Sequence, residues 1–262
     1  MSEAWIADCR VCTALTLPSV TDAIRLATSE RADNLVPATV TAGVDMALRA
    51  ATHATPRPAS AVLWTRLWAP GRTLRVSWVG SAPEEVREAI RRVAERWMED
   101  ANLRFEFIRD GVGDLRIANR IGQGSWSYVG TDALGVEPSK PTMSFGWLTP
   151  SSSADEYRRV VLHVFGHALG CLHEHMHPAA LIPWDRERVY AYYARTQGWD
   201  RASVEQHIFQ RYARSSLNGS EHDPDSIMSY PVSAALTVGA FEVAWNDDLS
   251  ERDRAFIRAC YP

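Results

Sequence analysis

The residues of this chain best suited to chemistry lie in one run, HVFGHALGCLH, from His163 to His173. His163 and His167 are four apart, so a helix through them puts both imidazoles on one face, where they can grip one metal ion. Gly170 admits a positive φ, which lets the helix stop and the chain turn back to bring in His173 as a third ligand. Three imidazoles leave a tetrahedral Zn²⁺ with one open position for water, the arrangement of a catalytic zinc rather than a structural one. Three unrelated histidines on a buried helix would need two matched spacings and a glycine by coincidence.

Several elements must position this run. The zinc helix is predicted from about Ala154 to Leu169, ending at Gly170. Before it, Thr73 to Val79 alternates like a strand. From Pro83 to Asp100 the spacing is helical, with Val86, Ile90, Val93 and Trp97 on one face and Ser81 and Glu84 placed for a capping box. Leu103 to Ile108 and Asp114 to Ala118 read as strands, with turn residues Asp110, Gly111 and Gly113 between them. Gln123 to Gly130 and Pro141 to Leu148 are glycine-punctuated and aromatic, as irregular or edge strands are. Later helical patterns cover Asp185 to Tyr193 and Ser203 to Tyr212. A last helix starts at Ser250, with Asp253 completing a cap.

The first part of the chain differs. Two amphipathic stretches, Val20 to Ala32 and Ala42 to Ala51, lead into THATPRPAS, a linker-like run that sets a boundary near residue 60. The expected organisation is an extension over 1–60 and a catalytic domain over 61–262. Neither a signal peptide nor a membrane-spanning run is apparent at the start, so the expected location is cytoplasmic. With 28 basic and 32 acidic residues the net charge is −4, which argues against nucleic acid or an anionic membrane as partner. Four cysteines, Cys9, Cys12, Cys171 and Cys260, are too few for a disulfide scaffold and are expected as thiols. The C-x-x-C of Cys9 and Cys12 has no second pair to complete a metal site, and is read as incidental.

His163 to His173 resembles the signature of the metzincin zinc peptidases, H-E-x-x-H-x-x-G-x-x-H followed by a methionine turn. SIMSYP, Ser226 to Pro231, is similar to that turn. Met228 would then form an apolar floor beneath the histidines. Within the metzincins the sequence is most similar to the astacin family, on Tyr230 two residues after the methionine, Glu174 directly after the third histidine, and SWSYVG before the zinc helix. The likeness runs over about residues 64 to 262. It implies an α+β fold in which a twisted mixed sheet carries the zinc helix above a cleft and an irregular C-terminal half carries the rest. It also implies Zn²⁺ on His163, His167 and His173, Tyr230 as a further zinc ligand and transition-state donor, and a polypeptide substrate cleaved internally.

Two departures from the pattern matter. Val164 stands where the family's glutamate takes a proton from the attacking water, and valine can neither accept nor give one. A loss of at least about two to four orders of magnitude in rate follows. The reading taken is a zinc metalloendopeptidase whose base has been removed; the alternative is a natural pseudopeptidase that holds a peptide without cutting it. Secondly, Ser125 stands where secreted astacins often carry a half-cystine, which takes away expected disulfide support. Glu174 is read as a buried structural carboxylate, and His175 and His177 as structural or rim histidines. Trp126 to Gly130 is a candidate edge for substrate strand addition. In many astacins a pro-segment aspartate closes the site; Asp45 is a candidate, but the reading preferred for it is an ordinary loop or helix-start aspartate.

Overall fold

The computed structural model describes residues 11–34, 66–212 and 222–262. Six strands form one mixed sheet: β1 (Cys12–Leu15), β2 (Thr73–Trp78), β3 (Arg104–Phe107), β4 (Leu115–Ala118), β5 (Ser125–Tyr128) and β6 (Met143–Phe145), in the order β1-β5-β6-β4-β2-β3. All neighbours are parallel except β5 and β6. The helices are α1 (Val20–Glu30), α2 (Glu84–Ala94), α3 (Ala154–Ala168), α4 (Arg186–Gln197), α5 (Arg201–Val204) and α6 (Glu251–Cys260). This is the expected α+β architecture. Among the described residues no helix is long and apolar enough to cross a membrane.

Helix α3 is the axis of the core. Val161, Leu162 and Phe165 are fully buried, and the Phe165 ring lies 5.1 Å from Phe105 and 6.2 Å from Phe145 on the sheet. Helix α2 packs beside it through Val86, Ile90 and Ala94. Side chains pin the second half of α3 through its carbonyls, those of Ala168 and Leu169 belonging to the end that a helix leaves unpaired. Trp97 Nε1 donates to Leu162 O at 3.0 Å, Trp68 Nε1 to Ala168 O at 2.8 Å and the Tyr261 hydroxyl to Leu169 O at 2.7 Å. Trp68 and Tyr261, from distant parts of the chain, therefore fix where the helix ends, and Trp97 holds it further up.

Two local expectations are corrected. Ser81 does not cap α2: Pro83 takes the cap position with no side-chain hydrogen bond, its fixed φ of −54° setting up the first turn instead. The helical run also tightens to 3₁₀ geometry over Glu95–Glu99, short of Asp100. At α6 the expected cap is present in full, with Ser250 and Asp253 bonding each other's backbone.

Residues 11–34 are part of this architecture. β1 pairs with β5 from Cys12↔Ser125 to Leu15↔Tyr128, and Ala23 and Ala27 of α1 are buried. Asn34 holds the end of the segment: its amide donates to Ala27 O at 3.0 Å and Leu67 O at 2.6 Å, and its carbonyl accepts from Leu67 N at 3.3 Å. Glu30 accepts from Ala69 N and from Arg72, and buried Arg31 donates to Cys260 O at 2.8 Å. The linker-like run and the stretch Ala42 to Ala51 lie outside the described residues. Asn34→Ala leaves the Leu67 amide and carbonyl buried without these partners, and is expected to cost about 2–3 kcal/mol in urea unfolding with faster amide exchange at Leu67. A loss within error of zero would contradict the anchoring role.

Candidate metal centre

The site is assembled by the way α3 ends. Ser153 caps its start by accepting from Glu156 N at 3.2 Å. At its end Gly170 has φ +97°, Cys171 N donates to Gly166 O at 2.9 Å and Gly170 N to His167 O at 2.8 Å. This pair of bonds is the Schellman arrangement, with glycine in the position that needs a positive φ. The chain turns back at once, and His173 meets the helix.

The three expected ligands converge. His167 Nε2 lies 3.0 Å from His173 Nε2, which lies 3.2 Å from His163 Nε2. Nitrogens of one tetrahedral zinc, at about 2.0–2.1 Å from the metal, stand roughly 3.3 Å apart, so the spacing suits such an ion. Backbone carbonyls fix two of the rings: His163 Nδ1 lies 2.8 Å from Ile227 O and His167 Nδ1 is 2.8 Å from Cys171 O. A carbonyl only accepts, so each Nδ1 carries the proton and donates, which leaves each Nε2 lone pair for the common point. Burial holds all three imidazoles in their neutral form: it pushes His163 down to about 4, and His167 and His173 well below the usual histidine value. Neutral nitrogens facing one another in a dry pocket are the donor set a divalent cation requires.

Cys12 lies beside two of these ligands, and the reading of its C-x-x-C as incidental does not hold for it. Its sulfur and the ligand nitrogens of His163 and His167 all lie within 4.8 Å of one another. The thiol is buried, and burial raises its pKa. Nothing local marks Cys12: it reaches the site because β1 pairs with a strand more than 100 residues away. Cys9 and Asp45 lie outside the described residues.

Tyr230 packs its ring against His173 at 4.3 Å and His163 at 5.9 Å, and its hydroxyl donates to the carbonyl of Cys12. His175 stacks on the same tyrosine at 4.3 Å and donates from Nε2 to His207 O at 2.9 Å, while His177 is buried nearby, so neither is a rim residue. Glu174 is fully buried and accepts from Asp223 N at 3.2 Å, as a structural carboxylate does. Val164 is fully buried in the main core. Met228 lies under α3, where Gly166 makes room for it: a Cβ on Gly166 would come 2.4 Å from the Met228 sulfur. Strand β5 was expected as an edge for substrate pairing, and β1 lies along it.

Among protein-family models and among curated proteins nothing matches this chain. Solved structures do. One structure of myroilysin superposes with a TM-score of 0.74 at 40% identity, covering 77% of this chain and 98% of that one. A second myroilysin structure gives 0.60 at 33% identity, covering 95% and 100%. High choriolytic enzyme 1, a hatching enzyme zinc-protease from the medaka fish Oryzias latipes, gives 0.50 at 15% identity over 72% and 88%, a likeness of fold. The chain belongs to the astacin-like metzincin zinc metallopeptidases, with myroilysin as a relative. Zn²⁺ is its cofactor, and the family's substrates are polypeptides.

The close seat of Met228 yields a direct test. Gly166→Ala forces the methionine and its turn away from α3, and is expected to lower stability by about 1–3 kcal/mol and to weaken zinc retention against a chelator. Unchanged stability with unchanged retention would show that Met228 is not held against the helix.

Proposed function

We propose that this chain is a zinc metalloendopeptidase in a blocked and base-less form. His163, His167 and His173 hold the metal, Cys12 takes the remaining position, and Val164 replaces the general base. The convergence of three imidazole nitrogens within 3.2 Å of their neighbours carries this reading. When bound, Zn²⁺ supplies Lewis-acid polarisation of a scissile carbonyl and lowers the pKa of water. The protein's own residues supply the rest.

Strand β5 offers backbone hydrogen bonds to an extended polypeptide, and β1 now uses them. Tyr230 donates to a carbonyl beside the imidazoles, here that of Cys12, and in a substrate complex the same hydroxyl would steady the oxyanion. Val164 has no proton to move, so a bound peptide stays uncut. Residues 1–60 are the extension, whose strand β1 lies along β5, and 61–262 the catalytic domain. The cleft blocked by Cys12 and the missing base are two separate restraints, and relieving one leaves the other.

The test compares the full chain with Val164→Glu and with Val164→Glu plus Cys12→Ala, each loaded with about one zinc, on an unfolded protein substrate. Chelator-sensitive cleavage is expected in the doubly substituted chain, at least about a hundredfold above the chain with Val164. No cleavage by any form, with zinc bound in all, would overturn the peptidase reading and leave a pseudopeptidase that holds peptides without cutting them.

A further inference from the structure

The metal site is backed by a buried relay that ends on the last helix. The Ser226 hydroxyl donates to Asp253 Oδ1 at 2.6 Å and accepts from Met228 N at 3.0 Å. That amide and the carbonyl of Ile227 belong to one peptide plane, and the carbonyl accepts from His163 Nδ1 at 2.8 Å. The Asp253 carboxylate also accepts from Ile227 N at 2.8 Å and Ser250 N at 3.0 Å. Asp253 and Ser226 are 1% and 0% exposed, so solvent cannot replace either. Each hydrogen bond in the series points the same way, from imidazole through peptide and hydroxyl to carboxylate, and bonds in series polarise one another.

We infer that Asp253 is a positioning residue for the metal centre: through the Ser226 hydroxyl and the Ile227–Met228 peptide it locks His163 with its proton on Nδ1 and its Nε2 facing the metal. This rests on His163 holding zinc, as proposed above. Capping α6 does not by itself require the link to Ser226. The cap is made by Ser250 Oγ accepting from Asp253 N at 2.9 Å together with Ser250 N donating to Asp253 Oδ2 at 3.0 Å. The Ser226 hydroxyl takes the other oxygen, Oδ1, which the cap does not use, while Oδ2 is shared by Ser250 N and Ile227 N of the turn beneath the histidines. One carboxylate thus joins a helix start to a metal ligand 90 residues earlier in the chain.

Three full-length variants separate positioning from plain structural support. Ser226→Ala breaks the relay and leaves the cap; Asp253→Asn keeps the shape and removes the charge; Ser250→Ala removes the cap hydroxyl, with its bond to Asp223 Oδ2 at 2.7 Å, and leaves the relay. Zinc dissociation constants come from competition with a chromophoric chelator, and the His163 Nδ1–H signal from nitrogen-15 NMR of the zinc-loaded chain. Ser226→Ala and Asp253→Asn are expected to weaken zinc binding about tenfold and to move the His163 signal, since partners behind a metal ligand are worth about 10–100-fold in affinity. Ser250→Ala is expected to lower unfolding stability while zinc affinity stays within about twofold. Unchanged affinity and an unmoved His163 signal in Ser226→Ala and Asp253→Asn would overturn the inference, as would an equal loss of affinity in Ser250→Ala. Failure of the parent chain to bind zinc would overturn both this inference and the assignment of the histidines. Zinc bound equally by all forms would remove this inference alone.

Discussion

Three imidazole nitrogens brought within 3.2 Å of their neighbours inside a dry core are a constraint that the surrounding structure has to satisfy. Their lone pairs repel unless a cation lies between them, and burial keeps them from taking up protons in its place. Everything close by serves that arrangement. Carbonyls of Ile227 and Cys171 fix two tautomers, the Schellman turn at Gly170 brings in the third ring, and Met228 fills the space that Gly166 leaves open. Trp97, Trp68 and Tyr261 hold the second half of the helix, which carries two of the ligands.

The same constraint explains why the N-terminal segment is bound so firmly. A strand with four paired positions is weak by itself. Here it is held at one end by Cys12 and Tyr230 beside the histidines, and at the other by Glu30, Arg31 and Asn34 against the loop before β2 and the end of α6. Buried polar groups in these anchors have matched partners, so each bond lost on release leaves a group to be solvated again.

Much of the site was legible because its signals are local. The spacing of His163 and His167, the glycine that ends the helix, and the capping pair Ser250 and Asp253 all act within a few residues, and sequence carries such patterns directly. The strands around Thr73, Leu103 and Asp114 alternate visibly for the same reason. Ser81 failed as a cap because Pro83 had already fixed the backbone where the helix begins. Cys12 was missed for a different reason: its place at the site depends on β1 pairing with β5, a contact that no period or motif in either segment announces. The relay from Asp253 to His163 was likewise hidden. Its members lie on separate elements, and Asp253 already had a sufficient local role as a cap.

The most direct measurement is X-ray absorption at the zinc edge on the full chain. The expected first shell has three imidazole nitrogens at about 2.0–2.1 Å and one sulfur at about 2.3 Å, with the sulfur lost in Cys12→Ala. A shell of nitrogen and oxygen alone in the unsubstituted chain would contradict the blocked form. A shell with fewer than three imidazoles would contradict the metal centre itself.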